Sequence, residues 1–97
     1  MRLIKELIST ANTRVAEFSV DPDETGQWHY HSDVIEFCYC LEGVIRIDQK
    51  NTASMTLHPG EKLEIAIGNV HRVCSIGTQC GRYLVVQGPG VYDFVQV

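Results

Sequence analysis

Two histidines separated by one residue, His29 and His31, and a glutamate soon after them, Glu36, are the side chains of this sequence best placed to do chemistry together. They fall within residues 26–43, which read GQWHYHSDVIEFCYCLEG. On an extended strand alternate side chains share a face and stand roughly 7 Å apart. His29 and His31 therefore point one way and Tyr30 the other. A turn at Ser32-Asp33 and a neighbouring strand bring Glu36 alongside. Two imidazoles and a carboxylate converging on one point suit a divalent metal that takes nitrogen and oxygen ligands. Without a cation or donors to compensate it, a carboxylate among the apolar neighbours of Glu36 would be costly.

A second stretch, residues 60–75, reads GEKLEIAIGNVHRVCS. Its His71 follows a Gly68-Asn69 turn at the start of a strand. Alone, one histidine there is by default a surface or core residue. It gains weight because the first cluster lacks a fourth protein ligand.

Strands are needed to hold these side chains, and the chain supplies them. Residues 14–20 alternate, with Val15, Glu17 and Ser19 on one side and Ala16, Phe18 and Val20 on the other. Residues 21–26 (DPDETG) are a loop of turn formers. The His29/His31 strand follows, then residues 34–41, nearly continuous in apolar character. Glu42-Gly43 turns the chain into 44–48. Residues 49–52 (QKNT) form a hairpin loop before a short strand over 54–57, and His58 to Glu61 make a further turn. Strands over 62–67, 70–75 and 82–87 complete the series, with a loop at 76–81 and a break at Gly88-Pro89-Gly90. Residues 91–97 form a final strand or a docked tail. Near the N-terminus, Leu3, Ile4, Leu7 and Ile8 fit a short amphipathic helix or a bulged edge strand equally well. Eight to ten short strands with closely spaced turns indicate an all-β sandwich or barrel.

Together the two histidine-bearing stretches resemble the two signature motifs of the cupin superfamily. His29, His31, Glu36 and Gly43 match the first motif at the family's spacing, and Gly60, Gly68 and His71 match the second. Three positions depart from the pattern: Asp23 stands where the family has glycine, Ala66 where it has proline, and Ser75 where it has asparagine. All three are turn or framing positions. The resemblance implies a cupin-type jelly-roll β-barrel (double-stranded β-helix) with one metal in its lumen held by His29, His31, Glu36 and His71. It also implies a homodimer joined by sheet packing or strand exchange. Three imidazoles and one carboxylate favour Fe(II), Mn(II), Ni(II), Zn(II) or Cu(II), and the ligand set alone does not choose among them. Because imidazole ligates when neutral, such a site loses metal as pH falls below the reference histidine value of about 6.5.

The remaining residues set bounds. A chain of 97 residues is one domain. Its 44% hydrophobic and 21% charged content is that of a globular protein. A net charge of -4 with no basic cluster argues against nucleic acid and against anionic membranes. The start, MRLIKELIST, is too broken by charge for a secretory leader, and no apolar run reaches the roughly 18 residues of a membrane span. The expected location is cytoplasmic. Cys38, Cys40, Cys74 and Cys80 lack C-x-x-C spacing and are expected as buried free thiols. If Glu36 faces the lumen, Cys38 and Cys40 follow it there by alternation, as packing residues. Tyr83 and Gln87 share a face and are candidates for hydrogen bonding within the pocket. His58 is expected in solvent. Trp28 and Tyr30 are expected as core or dimer-interface aromatics, and Arg46 and Arg72 at the surface.

Two classes of function follow from the resemblance. One is a metal-dependent enzyme acting on a small molecule in the lumen, either dioxygenase-like or a non-redox isomerase or lyase. The alternative is a non-catalytic binding or sensor cupin whose metal is structural.

Overall fold

The alternation of strand residues decides which side chains meet inside. In the computed structural model, which describes residues 1–97, the chain forms ten strands and no helix. They are β1 (Arg2–Ser9), β2 (Arg14–Val20), β3 (His29–Tyr30), β4 (Ile35–Glu42), β5 (Ile45–Gln49), β6 (Thr52–Leu57), β7 (Lys62–Ile65), β8 (His71–Ser75), β9 (Gly81–Gly88) and β10 (Val95–Gln96). Two five-stranded sheets result, in the orders β1-β2-β9-β4-β7 and β10-β3-β8-β5-β6. The pairings within both are antiparallel. This is the expected all-β jelly-roll arrangement.

The core lies between the inner faces. On β4, Glu36, Cys38 and Cys40 are buried while Ile35, Phe37 and Tyr39 are only half-buried. On β9, Tyr83, Val85 and Gln87 are buried in the same rhythm. Ala16 and Val20 from β2, Ile45 and Ile47 from β5, Leu57, Ile65 and Val73 complete the apolar filling. A two-residue period in burial is the mark of sheets packed on one face.

Register then aligns the functional residues. Arg14 of β2 is paired with Gln87 of β9, and Gln87 with Glu36 of β4. Three polar side chains thus stand in a row across adjacent strands of one sheet. In the other sheet His29 is paired with His71. His31 lies just past the end of β3, where its carbonyl accepts a hydrogen bond from the Gly68 amide at 2.9 Å. That bond ties the turn before His71 to the strand carrying the other two histidines.

The N-terminal segment resolves to the bulged edge strand. All eight residues of β1 are exposed, and its register with β2 shifts between Leu3 and Lys5 and again between Glu6 and Ile8. Each bulge adds one residue and resets the alternation. Two bulges three residues apart therefore imitate helical spacing, which is why the pattern fitted both readings.

The departures from the family motifs are accommodated locally. Asp23 has φ of +61°, a left-handed conformation that aspartate tolerates better than most residues with a Cβ. Without a proline at position 66, the turn still closes, through Asn69 N–H donating to the Ala66 carbonyl at 3.1 Å.

Candidate functional site

The four sequence-derived residues come together between the sheets. One ring nitrogen from each of His29, His31 and His71 lies within 4.8 Å of the others. Glu36 joins them from the opposite sheet: its Oε1 is 3.1 Å from His31 Nε2 and its Oε2 is 3.3 Å from His71 Nε2. His31, Glu36 and His71 are buried, and His29 is half-buried at the mouth.

The tautomers are set by the main chain. Nδ1 of His29 is 2.9 Å from the Gln27 carbonyl, Nδ1 of His71 is 2.8 Å from the Asn69 carbonyl, and Nδ1 of His31 is 2.6 Å from the Asp93 carbonyl. A carbonyl only accepts, so each Nδ1 carries the proton, and each neutral ring presents the Nε2 lone pair. Two of these acceptors sit two residues upstream of their histidine. The third comes from the far end of the sequence. Despite their closeness to Glu36, His31 Nε2 and His71 Nε2 are buried without a hydrogen-bond partner. Lone pairs and a carboxylate therefore crowd one point with no donor between them. A proton or a metal cation relieves that arrangement, and the donor set of imidazole nitrogen and carboxylate oxygen is that of transition-metal centres.

The electrostatics follow. Burial, reinforced by the neighbouring histidines, lowers His29 to about 4 and keeps it neutral near pH 7. For His31 burial acts in the same direction, but the Glu36 carboxylate outweighs it and holds the imidazole above its ordinary value. Burial opposes ionising Glu36, yet His31 and His71 together keep it far below the usual carboxylate range. Gln87 Nε2 donates to Glu36 Oε1 at 2.6 Å, and Arg14 Nη1 donates to Gln87 Oε1 at 2.9 Å.

Beside the cluster lies a cavity of about 70 Å³, bounded by apolar side chains such as Phe18, Val73 and Val85 and by Arg14, Gln87 and Tyr92. It adjoins a vestibule of about 450 Å³, with Met1, Phe18, His29 and Phe94 lining both.

The family model for the cupin domain matches residues 16–87. The chain belongs to the cupin family. An uncharacterised protein with a double-stranded β-helix domain from Klebsiella pneumoniae superposes with a TM-score of 0.86 at 20% identity, covering 98% of this chain and 84% of that one. A sugar phosphate isomerase of the cupin superfamily from Silicibacter pomeroyi gives 0.72 at 17% identity, covering 88% and 68%. An oxalate oxidase gives 0.81 at 18% identity, covering 89% of this chain but only 46% of the enzyme. At these identities the likeness is one of fold. A search of curated protein sequences returns no match.

Several residues of this cupin settle into definite places. Tyr83 and Gln87 both line the cavity. Cys38 and Cys40 are buried on the Glu36 face, and burial pushes both thiols up. All four cysteines are free, but Cys80 is exposed, contrary to expectation: it sits in the 76–80 loop, where no sheet covers it. His58 is in solvent beside Glu61. Trp28 lies under Lys50 and Arg72 rather than in the core, their cationic groups 4.2 and 4.3 Å from its ring centroid. Arg46 and Arg72 both bind Asp48, at 2.8 and 2.9 Å, away from the cavity.

Three contributions escaped sequence reasoning. Arg14 reaches the cavity, and its parity with Phe18 on β2 was the available signal. Phe94 stacks on His29 with centroids 4.2 Å apart and planes 16° from parallel. Asp93 supplies the His31 acceptor, and its carboxylate also accepts from the Ser32 amide at 2.7 Å and from the Ser32 hydroxyl. Residues 91–97 are thus both alternatives at once: 91–94 dock over the site, and β10 pairs with β3.

Proposed function

We propose that this cupin is a metal-dependent enzyme acting on a small molecule in its lumen, with one divalent transition metal held by His29, His31, Glu36 and His71. The observation that carries the reading is the pair of buried, unpartnered Nε2 atoms of His31 and His71 aimed at the Glu36 carboxylate. Their protons are already committed on the Nδ1 side, so the inward face is built to receive a cation. When bound, a metal of this class supplies Lewis acidity toward a substrate oxygen, or redox chemistry with dioxygen if it is Fe(II), Mn(II) or Cu(II).

The chain's own residues supply the rest. Phe18, Val73, Val85 and Phe94 give the cavity a water-poor wall. Gln87 fixes the Glu36 carboxylate through one of its oxygens. Burial holds the Tyr83 phenol well above its ordinary value, and Tyr92 is raised by the same cause. Both are therefore hydrogen-bond donors and not bases near neutral pH. Glu36 is the only carboxylate lining the cavity, so among the chain's carboxylates any base role falls to it. That shortage of a free base favours the second reading, a non-catalytic small-molecule binder or sensor whose metal is structural.

The chain is read as one cupin domain in the cytoplasm, where its four free cysteines stay reduced. No helix is long and apolar enough to cross a membrane. It is read as a homodimer. Leu3, Ile4, Leu7 and Ile8 are exposed on the β1 edge, an unpaired strand edge along which a second copy can be laid.

Elemental analysis of protein purified without added metal tests the centre, and one equivalent of a transition metal per chain is expected. Oxygen uptake dependent on Fe(II) identifies the oxygenase form, and anaerobic turnover with Zn(II) or Mn(II) the non-redox form. Metal-free protein that takes up none of these ions overturns the reading.

A further inference from the structure

The cavity holds a charge that metal coordination does not use. Arg14 is the only arginine or lysine lining the cavity or the vestibule. Its side chain is 13% exposed, against 40% for its ion-pair partner Glu6. Nε donates to Glu6 at 2.9 Å and Nη1 to Gln87 at 2.9 Å. A guanidinium has five N–H donors, so three are left without a protein acceptor. The Tyr92 ring covers one face, 4.4 Å from Cζ. The plane of the fork is therefore fixed while its outer edge stays unfilled.

Charge counting points the same way. Three neutral imidazoles and one carboxylate around a divalent cation leave one positive charge uncompensated in a largely apolar cavity. Arg14 adds a second, which the more exposed Glu6 offsets from outside. A planar acceptor with a single negative charge matches both the fork and the surplus. About 70 Å³ leaves room for roughly five water-sized groups, which suits a small acid better than a bulky one.

We propose that the lumen binds a small monocarboxylate, its carboxylate on the Arg14 fork and its other end toward the histidine cluster. This assignment rests on the metal-centre reading and adds the chemical class of ligand to it.

The test uses the full chain loaded with Co(II), whose visible absorption reports both occupancy and changes at the metal. Propionate and its neutral isostere propionamide are titrated into the parent protein, Arg14→Met and Glu6→Gln. The parent is expected to prefer the anion by about tenfold or more, the size of a charge-assisted hydrogen-bonded pair. Arg14→Met, with its cobalt spectrum unchanged, loses that preference. Glu6→Gln binds propionate a few-fold tighter, because a competing carboxylate is gone. Retained preference in a cobalt-loaded Arg14→Met protein overturns the proposal, since the anion then sits on the metal alone. If Arg14→Met does not fold or hold cobalt, Glu6→Gln decides, and unchanged or weaker propionate binding overturns it. Inorganic phosphate displacing propionate in an Arg14-dependent way overturns the carboxylate assignment. A parent protein that takes up no Co(II) marks a failure of the metal centre instead, and both readings fall.

Discussion

Replacing Glu36 by glutamine should lower the stability of the metal-free protein and, separately, its gain from metal. Without metal, Glu36 is a buried carboxylate 3.1 and 3.3 Å from His31 Nε2 and His71 Nε2, and it holds the His31 imidazole above its ordinary value. A glutamine there can donate from its amide to one Nε2 and accept from Gln87 through its oxygen, but it no longer offsets charge on His31. Removing one partner of a buried charge pair is destabilising. The metal-free Glu36→Gln protein is therefore expected to melt below the parent. With metal the substitution removes the only anionic ligand, and an affinity loss of about a hundredfold is expected, at the upper end of what even outer-shell changes cause. At a metal concentration of about 100 Kd, binding stabilises the parent by about 2.7 kcal/mol, and at a hundredfold weaker Kd the same concentration gives about 0.4 kcal/mol. For a domain of this size about 1 kcal/mol moves Tm by roughly 4–8 °C. The metal-induced shift should thus fall from about 10–20 °C to about 2–3 °C. Differential scanning calorimetry of chelator-treated protein, with and without Zn(II), measures both. A variant that keeps the full metal-induced shift, or whose metal-free form melts no lower than the parent, refutes the reasoning.

Three further outcomes are expected. His29→Ala combined with His71→Ala should abolish stoichiometric metal by elemental analysis while circular dichroism stays β-rich; full metal content in that variant would remove the ligand assignment. Asp48 is buried at 6% exposure; burial opposes its charge, but Arg46, Ser54, Arg72 and Cys74 outweigh it and depress its pKa from the ordinary 3.8. Its folded form holds fewer protons than its unfolded form in that window, so its contribution is present above about pH 4 and lost as pH falls below it. Urea titrations at pH 6 and pH 3 should show a smaller loss on acidification for Asp48→Asn than for the parent, and equal losses would contradict the pairing. Light scattering should give a dimer mass, and Leu7→Lys, which puts a charge on the β1 edge, should shift it toward the monomer.

The histidines were readable because strand alternation and turn residues act locally. A one-residue separation puts His29 and His31 on one face whatever else the fold does, and the Gly68-Asn69 turn starts the His71 strand in the same way. Glu36, Cys38 and Cys40 followed by parity. What lay beyond reach depended on contacts between distant segments. Nothing near Asp93 signals that its carbonyl meets His31 across 62 residues of sequence. The stacking of Phe94 on His29 is equally invisible until β10 pairs with β3. Arg14 had the right parity, but its meaning comes from the Gln87 register. Cys80 was misjudged because cysteine's general preference for burial says nothing about a loop that no sheet covers.

The dependence of His31 on Asp93 has a bearing on the order of assembly. His29 and His71 take their Nδ1 acceptors from residues two positions upstream, so those rings can be aimed as soon as their own segments have been made. A chain emerging from the ribosome lacks the acceptor for His31 until residue 93 has been added. The last ring to be oriented therefore waits on a residue made 62 positions after it. Orientation of the whole histidine cluster accordingly follows the docking of residues 91–94 and does not precede it.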